Sequence, residues 1–154
     1  METDLKSSNI AAMCNKSIYA WLLLERVYDK MQRHLMTHLG HYDLTTAQYD
    51  VLAHLSESPG ITQQALAEQL LVTKGNICGL IDRMSSRGLV ERRCDPEDRR
   101  SNLLYLTPGG QAIAEEAVPA YSNFVREHLA SLSAADQAAL SSILERLDHG
   151  IDHH

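Results

Sequence analysis

Residues 61–93, ITQQALAEQLLVTKGNICGLIDRMSSRGLVERR, and residues 94–107, CDPEDRRSNLLYLT, carry the clearest structural pattern in the chain. Apolar residues recur at helical spacing in two short segments, and a break at Leu71-Val72 separates them. Gly88 ends the second segment. Two strand-like runs, LVERR and NLLYL, then follow around a charged loop that contains proline. This order predicts a winged helix-turn-helix, in which a helix enters the DNA major groove and a basic hairpin touches the duplex beside it.

The bulk composition is that of one globular domain, with 154 residues and an apolar fraction of 44%. The longest apolar run, residues 18–24, is too short to cross a membrane, and the N-terminus lacks the pattern of a secretion signal. Three widely spaced cysteines make no disulfide framework. We therefore predict a cytoplasmic protein.

The charge of the chain is unevenly distributed. The formal net charge is −6. Residues 62–107 hold seven basic and six acidic side chains, a balance of +1, so the remainder carries −7. The basic side chains gather where a duplex would be touched, and the local field matters more for binding than the total charge.

Long helical patterns flank the central stretch. Residues 9–40 repeat apolar side chains at spacings of three and four, and Thr45 with Gln48 forms a capping box that opens the next helix. Residues 108–149 form two more helices, and Pro119 is expected to kink or interrupt the first of them. A helix of about 30 residues is about 45 Å long, so its apolar stripe needs either the C-terminal segments or a second chain to cover it.

The chain resembles the MarR family of dimeric winged-helix regulators. The resemblance rests on LTTAQYDVL (44–52), QALAEQLLVTKGNICGLIDRMSSRGLVERR (64–93) and DPEDRRSNLLYLTPGG (95–110), which stand in register over essentially the whole chain. The last piece contains the wing signature of the family, which is made up of Asp98, Arg100, Leu106 and Thr107.

The resemblance implies a mainly α (α+β) fold in one domain, residues 1–154. Residues 44–107 would be the winged helix-turn-helix, with the recognition helix at 73–87 and the wing at 89–106, and residues 9–40 and 108–149 the dimerisation helices. It implies a homodimer that represses transcription from a pseudo-palindromic operator, with half-sites about 10 base pairs apart. It further implies that a small aromatic or phenolic effector releases the DNA.

The candidate DNA-binding residues lie in two groups. In the first, Lys74 suits a phosphate or a guanine and Asn76 a base edge, beside a helix N-terminus that favours phosphate. In the second, the resemblance implies that Asp98 braces Arg100, which enters the minor groove. The full predicted set is Thr73, Lys74, Gly75, Asn76, Arg83, Arg92, Arg99, Arg100 and Asp98. The alternative for each is a solvated polar side chain or an ion pair within the wing.

The effector pocket is placed by resemblance between the first long helix, the 44–55 helix and the helix after Thr107. Its candidate walls combine apolar surface with polar tips: Trp21, Tyr28, Met31, His38 and Tyr49. The alternative is that these side chains are core and interface residues.

A redox- or metal-responsive regulator on the same scaffold remains an alternative. Cys78 lies on the predicted recognition helix and Cys94 lies beside Arg92 and Arg93, so oxidation at either place would disturb DNA contact. His34, His38 and His41 lie close enough in sequence to suggest a metal, with Asp50 as a further ligand. The ligand spacing of zinc-sensing relatives is absent, so we predict no metal and no cofactor. Nucleotide-binding, metalloprotease and hydrolase motifs are also absent, which predicts a non-enzyme.

Overall fold

The computed structural model describes residues 15–153, and helices dominate the described part of the chain. The elements there are α1 (Lys16–Gly40), α2 (Thr46–Glu57), β1 (Ile61–Thr62), α3 (Gln63–Gln69), α4 (Lys74–Ser86), β2 (Val90–Cys94), β3 (Asn102–Leu106), α5 (Pro108–Leu129) and α6 (Ala134–Ile151). The chain divides into two compact units, Met1–Tyr49 and Asp50–His154. The mainly α class predicted from the sequence is confirmed.

Helix α1 begins after Asn15, whose side-chain oxygen accepts hydrogen bonds from the backbone N–H groups of Ser17 and Ile18. The predicted start at residue 9 lies outside the described residues. Gly40 is the last helical residue, as expected, but it does not adopt the left-handed conformation that often ends a helix. The left-handed residue is Asp43 instead, with φ of 55°, because residues 41–43 form a further turn after the helix ends.

The apolar stripe of α1 is buried only toward its C-terminal end. Leu35 and Leu39 are buried. The large apolar side chains that remain exposed on α1 are Ile18, Tyr19, Trp21, Leu22, Leu23, Val27, Tyr28 and Met36. None of the helices in residues 15–153 is both long and apolar enough to span a lipid bilayer.

Helix α2 opens with the predicted capping box. Gln48 N–H donates to Thr45 Oγ1 over 3.2 Å, and Gln48 Oε1 accepts from Thr45 N–H over 3.1 Å. Two backbone donors that the first helical turn leaves open are thereby satisfied. The buried side chains that follow, Val51, Leu52 and Leu55, belong to the core of the second unit.

The helix-turn-helix is α3 and α4. Thr62 and Thr73 cap the two helices, and their hydroxyls accept from Ala65 N–H and Asn76 N–H. Between the helices Leu71 has φ of 54° and is 93% exposed, so the predicted break is a left-handed turn.

Helix α4 packs its inner face through four buried side chains, Ile77, Leu80, Ile81 and Met84. In α3 the buried residues are Leu66 and Ala67, whereas Ala65 and Leu70 are half-buried. A seven-residue helix makes barely two turns, so its contact face is set by the sheet and α4 beside it instead of by a long apolar period.

The sheet has three antiparallel strands in the order β1-β3-β2. The hairpin pairs Val90 with Leu106 and Cys94 with Asn102, as the two strand-like runs predicted. The third strand, β1, pairs Ile61 with Leu104 and was not expected, because two residues before a helix give no alternating pattern. Gly88, with φ of 69°, makes the turn from α4 into β2.

Helix α5 begins with Thr107 as its cap and Pro108 at its first position. Gly110 lies so close to the hairpin that a Cβ there would be 2.0 Å from Leu89 O. Of the two effects expected at Pro119, an interruption is contradicted, since α5 continues to Leu129. Proline removes one backbone donor but keeps a helical φ, and buried residues on both sides, Ala117 and Phe124, hold the helix together.

Helix α6 begins at Ser133, whose hydroxyl accepts from Asp136 N–H and donates to Asp136 Oδ2. No residue of α6 is buried in the described chain. Its apolar side chains form an exposed stripe instead: Leu140, Ile143, Leu144, Leu147 and Ile151.

Candidate nucleic-acid interface

The N-terminal turn of α4 presents the first group of candidate residues. Thr73 is committed to the cap, because its Oγ1 accepts from Asn76 N–H over 3.2 Å. Lys74, Gly75 and Asn76 are exposed. The open backbone donors of this turn and the Lys74 ammonium therefore face solvent together, which suits a phosphate or a base edge.

Further along α4, Asp82 and Arg83 point to different surroundings, as expected for adjacent helical residues. Asp82 forms an ion pair with Arg92 of β2, at 2.7 Å. Arg83 is exposed.

The tip of the wing is organised by aspartate side chains. Asp98 Oδ1 accepts from the backbone N–H of Arg100 over 3.0 Å, and Asp98 Oδ2 accepts from Ser101 Oγ over 3.1 Å. Asp95 Oδ1 holds Glu97 N–H in the same way, over 2.9 Å. Asp98 thus braces Arg100 through its backbone, and the Arg100 side chain is exposed.

Arg92 differs from the other wing arginines, since protein acceptors surround its guanidinium. Besides Asp82, its Nε donates to Gln63 Oε1 over 3.0 Å and its Nη2 donates to Cys78 O over 3.3 Å. The side chain is 29% exposed. This residue therefore joins β2 to both helices of the helix-turn-helix.

Arg93 and Arg99 are exposed, and Arg93 is held within the wing. The Arg93 guanidinium pairs with the Glu91 carboxylate and lies 4.0 Å from the centre of the Tyr105 ring. Arg93 therefore forms an ion pair within the wing, which is the alternative to a DNA contact given above.

A cleft of about 540 Å³ opens between α3, α4 and the tip of the wing. Lys74 and Cys78 line it from α4, and Arg100 and Asn102 from the wing. The other lining residues are Thr62, Gln63, Gln64, Ala67, Glu68, Val72, Ile77 and Ser101. The fold thus brings the two predicted groups of basic residues, which are 26 positions apart in sequence, to one concave surface.

The five candidate effector residues all lie in the first unit. Trp21 and Tyr28 are 54% and 61% exposed, Met31 is half-buried and Tyr49 is buried. His38 packs edge-on against Tyr42, with ring centres 6.1 Å apart. Within one chain, Trp21 and Tyr28 belong to an open face, and the effector role of the set stays a prediction.

The residues of the redox and metal alternatives are dispersed. Cys94 is exposed, whereas Cys78 is half-buried and its Sγ accepts from Gln63 Nε2 over 3.0 Å. Within residues 15–153, no three His, Cys, Asp or Glu side chains come together as metal ligands, so His34, His38 and His41 do not form a site there. At Asp50, desolvation raises the carboxyl pKa, and His54 opposes part of that rise.

Gln63 is the residue of this surface that the sequence did not reveal. Its side-chain amide bridges Arg92 and Cys78, which lie 29 and 15 positions away. A polar residue at the start of a helix is ordinarily solvated, so the type and position of Gln63 in the sequence do not indicate these contacts.

The sequence of the chain is similar to those of known winged-helix regulators. A family model described as "MarR family" matches residues 42–101. The transcriptional regulator HosA of Escherichia coli O111:H- is 35% identical over 105 residues, which are 68% of this chain and 78% of HosA. The chain belongs to the MarR family.

Solved structures of family members agree with the fold. A cysteine-to-serine mutant of MarR from E. coli, in complex with operator DNA, has a TM-score of 0.79 at 33% identity and covers 86% of this chain and 96% of its own. The PcaV regulator of Streptomyces coelicolor, in complex with its natural ligand, has a TM-score of 0.69 at 25% identity and covers 80% of this chain and 89% of its own. As a MarR family member with such relatives, the chain is a DNA-binding transcriptional regulator and not an enzyme.

Proposed function

We propose that this MarR family member is a homodimeric repressor that binds a pseudo-palindromic operator through α4 and the wing. One observation carries the proposal. Lys74, at the exposed N-terminal turn of α4, and Arg100, held at the wing tip by Asp98, line one cleft. A helix in the major groove and an arginine in the adjacent minor groove need this side-by-side arrangement. The remaining DNA contacts proposed are those of Thr73, Gly75, Asn76, Arg83 and Arg99.

The proposal of a dimer is supported by the exposed apolar side chains of α1 and α6. Ile143 and Leu147 are 53% and 46% exposed, and Trp21 is 54% exposed. Apolar stripes of this extent are unusual on the surface of a monomer. A second copy of the chain would cover them and would place two α4 helices at the spacing of two half-sites.

Release of DNA by a small aromatic or phenolic molecule is the regulatory part of the proposal. Its support is the ligand complex of PcaV and the mixed apolar and polar character of Trp21, Tyr28, Met31, His38 and Tyr49. The protein would act in the cytoplasm, where its DNA lies.

Fluorescence anisotropy with a duplex selected by the full chain from a random-sequence library tests the proposal. A steep fall of affinity with salt is expected, because several phosphates are neutralised on binding. Addition of hydroxybenzoates should release the duplex, and Tyr49→Phe or His38→Ala should raise the concentration needed. Failure of the chain to enrich any duplex would contradict DNA binding itself.

A redox-responsive regulator is the second candidate, and one contact favours it. Cys78 Sγ is 3.0 Å from Gln63 Nε2, so an oxidised sulfur would displace a side chain of the helix-turn-helix. Hydrogen peroxide oxidises a single thiol to a sulfenic acid and is itself reduced to water. It should then lower DNA affinity in the wild-type chain and leave Cys78→Ser unaffected, with Cys94→Ser as the matched variant. Equal sensitivity of all three chains would argue against this candidate.

A further inference from the structure

Arg92 connects the wing to both helices of the helix-turn-helix through its side-chain contacts. Its guanidinium uses three separate nitrogens, with Nη1 2.7 Å from Asp82 Oδ1 and Nε 3.0 Å from Gln63 Oε1. The third, Nη2, donates to Cys78 O over 3.3 Å. Planar, fork-shaped donors suit such a fixed set of acceptors, which a lysine ammonium cannot reproduce.

These contacts distinguish Arg92 from its neighbour Arg93. The Arg92 side chain is 29% exposed and the Arg93 side chain 59% exposed. The charge of Arg92 is balanced in place by Asp82, while within residues 15–153 Arg93 pairs with Glu91 and Tyr105 of the hairpin. Arg92 therefore has less charge and less surface to offer a phosphate than an exposed wing arginine has.

Because Arg92 lies at the base of the wing, a small change in its contacts would move the wing tip by a larger distance. About five extended residues separate it from the tip, a distance of about 17 Å at 3.3 Å per residue. A tilt of about 10° at Arg92 would move the tip by about 3 Å, well beyond the tolerance of a hydrogen bond. Arg100 could not then reach its groove while Lys74 occupies the other.

We propose that Arg92, held by Asp82 and Gln63, is a positioning residue that sets the angle between the wing and α4. In this role it acts on DNA through Arg100 and does not contact a phosphate itself. The inference rests on the proposed function, since it concerns the geometry of the same DNA-binding surface. Direct phosphate contact by Arg92 is the competing outcome of the test.

The test measures affinity for the selected duplex as a function of salt in the wild type and in Arg92→Met and Asp82→Asn. A phosphate contact adds about one to the slope of log affinity against log salt for each subunit that makes it. Positioning predicts that Arg92→Met weakens binding by about threefold to tenfold, in the range of such couplings, with an unchanged slope. A slope reduced by one or more per subunit would overturn the inference.

Asp82→Asn gives an independent test, because charge and geometry predict opposite results. The substitution removes a negative charge from the surface that faces DNA, which by itself favours binding. Loss of the Arg92 contact predicts weaker binding instead. Glu97→Gln in the wing is the matched control, since it removes the same charge from an exposed side chain and should bind equally well or more tightly. If Asp82→Asn binds the duplex as tightly as Glu97→Gln or the wild type, the inference is wrong.

Two safeguards keep the outcomes separate. Thermal unfolding of each variant identifies a loss of fold, and if Arg92→Met does not fold, Arg92→Lys takes its place. The lysine keeps the charge but not the fork, so positioning predicts weakened binding for it and phosphate contact predicts normal binding. Failure of the wild type to bind any duplex would instead contradict the proposed function.

Discussion

At the scale of single residues, the arginines of the wing differ in how the fold holds them. Arg100 has an exposed side chain on a backbone that Asp98 fixes, whereas Arg92 is engaged along its whole guanidinium. A group whose position is fixed but whose charge is open loses little entropy on binding. Arg100 is therefore the wing residue expected to carry direct contact with DNA.

Arg100→Ala should weaken binding to the selected duplex and lower the salt slope by about one per subunit, because a phosphate or groove contact is lost. The free energy of unfolding should change by less than about 0.5 kcal/mol, as for other exposed side chains. Anisotropy and thermal unfolding measure the two effects. Arg100→Lys is the control that retains the slope, and unchanged affinity in Arg100→Ala would rule out the wing assignment.

At the scale of elements, local rules predicted the caps and missed the contacts between elements. Thr62, Thr73 and Ser133 each bond to a residue three positions away, so the sequence alone contains both partners. Strand β1 and the link from Gln63 to Arg92 depend on packing between distant segments, and no short-range pattern encodes them. The candidate site was thus predictable in its residue types and incomplete in the contacts that hold it.

The turn between α3 and α4 is strained at Leu71, which has φ of 54°. Left-handed backbone costs a residue with a Cβ about 1–2 kcal/mol, and an exposed side chain recovers little of that by burial. Leu71→Gly is expected to raise the free energy of unfolding by up to about 1 kcal/mol after the entropy of glycine is counted. Urea denaturation checks this, and Leu70→Gly, at a right-handed position, should destabilise instead. A destabilised Leu71→Gly would contradict the strain.

The contact between α5 and the start of β2 requires a glycine at position 110. Gly110→Ala would bring a Cβ to 2.0 Å from Leu89 O, and relief of that overlap should cost about 1–3 kcal/mol or more of unfolding free energy. Gly109→Ala, whose Cβ would lie 3.3 Å from Gly88 O, is the milder neighbour for comparison. Equal unfolding midpoints for the two variants would show that the contact is not tight.

At the scale of the whole molecule, the open question is what covers the apolar side chains of α1 and α6. No residue of α6 is buried in the described chain, although its sequence carries an apolar stripe. Sequence periodicity predicted which side chains share a face, but it does not specify whether the same chain or a second copy covers that face. Under the proposed function a second copy of the chain covers that face, since two half-sites need two α4 helices.

Leu144→Glu should convert the protein from dimer to monomer, because it places a charge within the exposed stripe of α6. Analytical ultracentrifugation measures the change, and operator affinity should fall with it as the second head is lost. Ser142→Glu serves as the control, because Ser142 is an exposed residue of α6 that is not part of the apolar stripe. A monomeric wild type, or a dimer in Leu144→Glu with full affinity, would contradict this role for α6.

The most direct test of the central claim is sequencing of the duplexes that the full chain selects from a random library. Two heads of α4 and wing, held in one dimer, predict a pseudo-palindrome whose half-sites are centred about 10 base pairs apart. They also predict two chains bound per duplex and loss of the selection in Arg100→Ala. Enrichment of a single asymmetric half-site by one chain, or no enrichment at all, would contradict the account.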